Sequence, residues 1–209
     1  MKARDPVSGY SHLAGFGLAC AGVVVLLVRA DHGGAALTTA LVYAVCLLGL
    51  YAASSAYHLI PGSEAVMRRL RKLDHAAIFL MIAGTCTPIF WVAFEGGTRT
   101  AMLCGIWGLA AAGIAFRLLW LSAPRLLYTV MYVAMGWMVV VAGPHGLHAL
   151  PRVVVALVIA GGVTYTAGAV VYAIKRPNPF PTVFGFHEIW HLFVLGGSAL
   201  HYAAIAWLV

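Results

Sequence analysis

Residues Phe186 to Leu208 read FHEIWHLFVLGGSALHYAAIAWL. The segment carries one acid, no lysine and no arginine, and it is long enough to cross a hydrocarbon core of roughly 30 Å as a helix. It predicts a transmembrane helix with two histidines in its opening turns. Working outward, stretches of the same kind fill the rest of the chain. The first runs from about His12 to Val28 and ends at Arg29-Ala30-Asp31. A second, from about Ala35 to Ile60, stops at Pro61-Gly62. The basic run Arg68 to Lys72 reads as a loop before a third span, about Asp74 to Phe94. Glu95 to Arg99 leads into a fourth, to about Leu121. Pro124-Arg125 opens a fifth, which ends near Gly143-Pro144, and a loop from His145 to Arg152 precedes a sixth, to about Ile174. Lys175 to Pro181 separates that from the last.

The expectation is an all-α integral membrane protein, a bundle of seven transmembrane helices forming a single domain over residues 1–209. Composition agrees: 63% of residues are hydrophobic, 9% are charged, and mean hydropathy is +0.94. A soluble domain carries roughly 25% charged residues, so a water-wetted globule is excluded. The first apolar run resembles a signal peptide in position, but no A-x-A cleavage site follows and more spans do, so it reads as a retained helix. Cys20, Cys46, Cys86 and Cys104 all fall in apolar segments without a C-x-x-C pair, which argues against a disulfide framework or a thiolate metal site. They read as small buried hydrophobes.

Net charge is +7. In a membrane protein this reads as topology rather than nucleic-acid binding, because basic loops stay inside. With the N-terminus cytoplasmic, Lys2, Arg4, Arg68, Arg69, Arg71, Lys72, Arg117, Arg125, Lys175 and Arg176 lie on that side. Arg29, Arg99 and Arg152 lie opposite, so the 13 cations divide ten to three. An odd number of spans then places the C-terminus outside. A bacterial inner membrane suits so bare a chain.

That orientation brings polar residues from three helices to one depth. Ser54 and His58 close the second span, Asp74 and His75 open the third, and His187 and His191 open the seventh. Each ionisable group costs a few kcal/mol in hydrocarbon unless paired, so their coincidence asks for a reason. His187 and His191 are four apart and share a helix face at about 6 Å, which is how a helix offers two imidazoles to one metal. His58, His187 and His191 are therefore candidate ligands of a zinc ion, which takes three protein ligands and one open position at a catalytic site. Asp74 and Ser54 are the candidate catalytic groups beside it. His12 and His75, each alone, read as packed histidines bonded to a carbonyl. His201, about 15 Å further along its helix from His191, reads as a packed interior group.

The blocks Ser54-Ser-Ala-Tyr-His58, Lys72-Leu-Asp74-His75 and Phe186-His-Glu-Ile-Trp-His191, in this order on the second, third and seventh spans, resemble the signatures of the hemolysin III family. That family belongs with the progestin and adiponectin receptors and, more distantly, the alkaline ceramidases. The resemblance covers essentially the whole chain. It implies zinc held by His58, His187 and His191, with Ser54 and Asp74 completing the polar site. The long N-terminal region of the eukaryotic receptors is lacking, so their soluble signalling contacts do not carry over.

His187-Glu188-Ile-Trp-His191 also matches H-E-x-x-H, in which the glutamate is a protease's general base. The extended pattern fails, with Val194 and Gly197 where glycine and histidine belong, and Glu188 lies about 100° around the helix from His187. The favoured expectation is hydrolysis of a lipid amide or ester: zinc polarises the carbonyl and acidifies water, Asp74 orients or deprotonates that water, and Ser54 bonds the oxyanion. Partners are then membrane lipids and a lipid substrate entering sideways between helices. A non-catalytic lipid sensor with structural zinc is the second reading. A pore former is the third, with no span showing a polar stripe for a channel.

Overall fold

The computed structural model describes residues 4–30, 34–141 and 144–209. Lys2, Asp31 and Gly143, used above for topology and span ends, lie outside them. Nine helices occupy the described residues: α1 (Pro6–Arg29), α2 (Ala35–Leu59), α3 (Glu64–Ala93), α4 (Gly96–Leu119), α5 (Arg125–Gly136), α6 (Met138–Val141), α7 (Pro144–His148), α8 (Arg152–Ile174) and α9 (Phe186–Leu208). Six are long and apolar enough to cross a membrane, and α5, with the short α6, supplies the seventh crossing. The chain is an all-helical multi-pass membrane protein.

Two of the expected boundaries need correction. The basic run Arg68 to Lys72 is helical, because α3 begins at Glu64. Ser63 caps it by accepting the Val66 N–H at 3.5 Å, and Glu64 sits in the first turn where its charge favours the helix dipole. The fifth crossing is broken: α5 stops at Gly136, and Trp137 turns the chain, its indole N–H donating to Thr166 Oγ1 at 2.9 Å. Glycine is a poor helix interior residue, and here it marks the break.

Small residues set the helix spacing, as is usual where lipid replaces water outside the bundle. A Cβ at Gly168 would run into Phe193 and Trp190, and one at Gly197 into Tyr165, so α8 and α9 meet backbone to side chain. One apolar cluster, with Phe79, Phe90, Ile106 and Tyr132, ties α3 to α4, α5 and α8. Another, with Leu26, Tyr43, Leu47 and Ile205, ties α1, α2 and α9. Between them runs a cavity of about 400 Å³, lined at one end by Arg4, Asp5, Arg71 and Arg125 and reaching down to Ile89 and His201. Asp74 and Ile89 lie on one helix, about 22 Å apart in rise, so the cavity is long and narrow.

The cysteines divide. Cys46 and Cys86 are buried, whereas Cys20 and Cys104 face outward. Tyr10, Trp120 and Trp207 are exposed, as interfacial anchors are, but Tyr128 belongs to the core, under the guanidinium of Arg117 at 4.2 Å. Arg117 itself is fully buried and donates to the Trp120 carbonyl at 3.1 Å.

Candidate metal centre

His58 comes from the last turn of α2, and His187 and His191 from the first two turns of α9. Their ligand atoms all lie within 4.8 Å of one another. His58 Nε2 is 3.5 Å from His187 Nε2, and His187 Nε2 is 3.3 Å from His191 Nε2. His58 and His191 are buried, and His187 is partly so. Nitrogens each 2.0–2.1 Å from one tetrahedral ion are separated by about 3.3–3.4 Å, so two edges of the set already have a ligand sphere's spacing.

Proton count makes the same point. His58 Nδ1 lies 2.9 Å from Asp5 Oδ2. A proton on Nδ1 serves that carboxylate, so Nε2 presents a bare lone pair to the other two imidazoles. A lone pair on His58 Nε2 facing the other imidazoles suits a cation. The residues present fit a divalent metal with imidazole ligands.

Ser54, buried one turn before His58, lies beside the Asp74 carboxylate of α3. Ser54, Asp74, His187 and His191 line the same end of the cavity, so three helices contribute polar groups there. Asp74 is not among the three groups whose ligand atoms converge. It stands at the side of the site, one turn from Arg71.

His75 points elsewhere. Its Nδ1 is 3.3 Å from the Tyr132 hydroxyl, and its ring packs edge-on against Tyr128. It bonds a phenol rather than the expected carbonyl. His12 does bond a carbonyl, with Nε2 at 3.4 Å from His191 O, and its ring lies 4.0 Å from that of His191, backing the candidate ligand. His201 Nε2 is 3.1 Å from Val158 O, a packed histidine. Glu188 has both oxygens engaged away from the histidines: Ser8 Oγ donates to one at 3.0 Å, and the Gly185 N–H to the other at 2.8 Å. It ties α1 to α9 and caps the latter, which leaves no general base for the zincin reading.

Asp5 was invisible as a site residue in the sequence, where it reads as a tail acid before Pro6. Its carboxyl is held well below the usual carboxylate range, first by the His58 hydrogen bond and then by Arg4, against a desolvation cost. Arg4 Nε donates to the same Oδ2 at 2.8 Å. Nothing local in the sequence signals this contact, which spans 53 positions.

On the lipid side a second, shallower groove of about 320 Å³ lies between α5 and α8, lined by Leu126, Val130 and Val170. Thr129, Val133, Thr166 and Ala169 line both it and the main cavity.

The family model described as Haemolysin-III related matches residues 2–202. The chain belongs to the haemolysin III family. It is 34% identical to "Hemolysin-3" of Bacillus cereus over 99% of this chain and 92% of the relative. Identity to the "Hemolysin-3 homolog" of Bacillus subtilis is 32%, covering 94% and 90%. A human relative, "Monocyte to macrophage differentiation factor", is 26% identical over 98% and 90% of the two chains, and a rice "Heptahelical transmembrane protein ADIPOR2" is 34% identical over 64% and 65%. The family thus reaches the adiponectin-receptor relatives, and its bacterial members agree with a plasma-membrane location for this multi-pass chain.

Proposed function

We propose that this haemolysin III family member is a zinc-dependent hydrolase of a lipid amide or ester. The observation that carries this reading is the convergence of three imidazoles, two of which, His187 and His191, line one end of a long cavity together with Asp74 and Ser54. His58, His187 and His191 would hold the ion. When bound, zinc polarises a carbonyl and makes a water molecule acidic near neutral pH. Three protein ligands leave a fourth position open, the pattern of a catalytic rather than a closed structural site.

The chain's own residues divide the remaining work. Ile78, Met81, Ile82, Ile89 and Val133 line the deeper cavity and favour a hydrocarbon chain, which fixes the scissile group at the polar end. The groove between α5 and α8, sharing wall residues with the cavity, supports sideways arrival from lipid. Asp74 takes a proton from water and returns it to the leaving amine or alcohol. The Ser54 hydroxyl donates to the oxygen that gains negative charge as the carbonyl is attacked. The cationic end, with Arg4, Arg71 and Arg125, lies at the cytoplasmic headgroups if the basic loops set the orientation.

The test is elemental analysis of the detergent-purified chain, followed by assays on defined N-acyl and O-acyl lipids in nanodiscs. One zinc per chain and release of free fatty acid are the expected results. Zinc without turnover of any acyl lipid would favour a lipid sensor with a structural ion, and absence of metal would remove the chemistry altogether. The lytic activity in the Bacillus relatives' names is checked by dye leakage from liposomes.

A further inference from the structure

An aspartate at the start of a helix ordinarily spends its carboxylate on the free N–H groups of the first turn. Asp5 occupies that position by its backbone: its carbonyl accepts the Gly9 N–H at 3.0 Å, closing the first turn of α1, and Pro6 follows. Yet its side chain makes no cap bond. The carboxylate turns across to α2 and meets His58 Nδ1 at 2.9 Å, while the Asp5 N–H reaches the His58 carbonyl at 3.4 Å. The segment is braced on both sides. Pro6 narrows the backbone choices of Asp5, and Arg4 donates to the carboxylate while its guanidinium lies 4.1 Å over the Tyr57 ring. Gly9 leaves no space for a side chain against Leu59 and His58, so the first turn of α1 rests directly on the last turn of α2. A forgone cap bond, two bonds to one histidine and a stacked arginine all serve the same contact.

We infer that Asp5 is a positioning residue of the metal centre, fixing the proton of His58 on Nδ1 and aiming its Nε2 at the ion. The inference rests on the metal-site reading above. A metal-bound imidazole is commonly oriented by a carboxylate on its outer nitrogen, which also raises its basicity. The three histidines are unequal in this respect. The outer nitrogen of His191 is buried near the Ser8 backbone and meets no carboxylate. His58 has the carboxylate, and it is the sole ligand from α2. The other two share α9 and are preset by their spacing. The group that brings the lone ligand of the second helix into register is thus supplied by the short segment ahead of the first helix, which couples that segment's position to metal occupancy.

The experiment measures zinc affinity of the full-length, metal-stripped protein in detergent, by competition with a chromophoric chelator. Asp5→Ala is expected to bind zinc about 10–100-fold more weakly, the usual cost of losing such a partner. Asp5→Glu should recover part of the loss. The thermal midpoint of metal-free Asp5→Ala should match that of the metal-free parent, with the two separating only when zinc is added. If Asp5→Ala proves less stable without metal, Asp5→Asn, which keeps an acceptor and loses the charge, must still show an intermediate affinity. Tight zinc binding by the parent and equal binding by Asp5→Ala or Asp5→Asn would overturn the inference while leaving the metal site standing. A parent that binds no zinc would overturn both.

Discussion

Two sets of histidines sit inside this bundle, and their surroundings differ in kind. His187 Nε2 stands 3.5 Å from His58 Nε2 and 3.3 Å from His191 Nε2, and the ligand atoms of the three all lie within 4.8 Å of one another. His12, His75 and His201 each find an oxygen instead: a carbonyl, a phenol and a carbonyl. Burial does not separate the sets, since His58 and His191 are as buried as His12. What separates them is whether a ring nitrogen faces an oxygen or another imidazole. A packed histidine in a membrane helix satisfies itself with an oxygen, whereas three imidazoles drawn together form a group that could hold a cation.

The sharpest way to break this contrast is to truncate one member of each set. His191→Ala should abolish stoichiometric metal, weakening affinity by more than about 100-fold, beyond what an outer partner contributes. His201→Ala should leave metal content unchanged and lower the thermal midpoint, by about 1–3 kcal/mol of stability for the abandoned Val158 carbonyl and lost packing. Inductively coupled plasma analysis and melting curves on the same preparations read both. Equal metal in the two variants would erase the distinction.

Within the first set's surroundings, Asp74→Ala should lower turnover of a lipid amide by about 10²–10⁴-fold with zinc retained. Full activity in a pure Asp74→Ala preparation would take the proton-transfer role away. Ser54→Ala should cost about 10²–10³-fold in kcat, with little change in KM. The smallest effect is expected at Glu188. Glu188→Gln keeps an acceptor for Gly185 and for Ser8, so metal content and turnover should both stay near the parent. A collapse of turnover with zinc bound would return Glu188 to the chemistry.

The clustering of the three candidate ligands was legible in the sequence. The four-residue spacing of His187 and His191 fixes a common face on any helix, and the span count sets His58 at the same depth. The position of Asp74 and Ser54 beside them followed from depth in the same way. Glu188 was separated from its neighbours by the same periodicity, although nothing in the sequence named Ser8 as its partner. Asp5 escaped because its contact with His58 joins two helix ends 53 positions apart, and an Asp-Pro pair at a helix start has a sufficient local meaning. The extent of α3 escaped for the opposite reason: a run of arginines reads as a loop, although the Ser63 cap makes it helical. The break at Trp137 left no stronger trace than one glycine in an apolar stretch.

The amino-acid sequence by itself determined that the chain lives in a membrane, how many times it crosses, and which polar residues share a depth. Those properties depend on apolar length and helical period, which are local. Tertiary structure decided which of the histidines face one another, where their second nitrogens find partners, and that a cavity runs between the two halves of the core. Such facts depend on helix rotation and on close approach of distant turns, and no local propensity sets either.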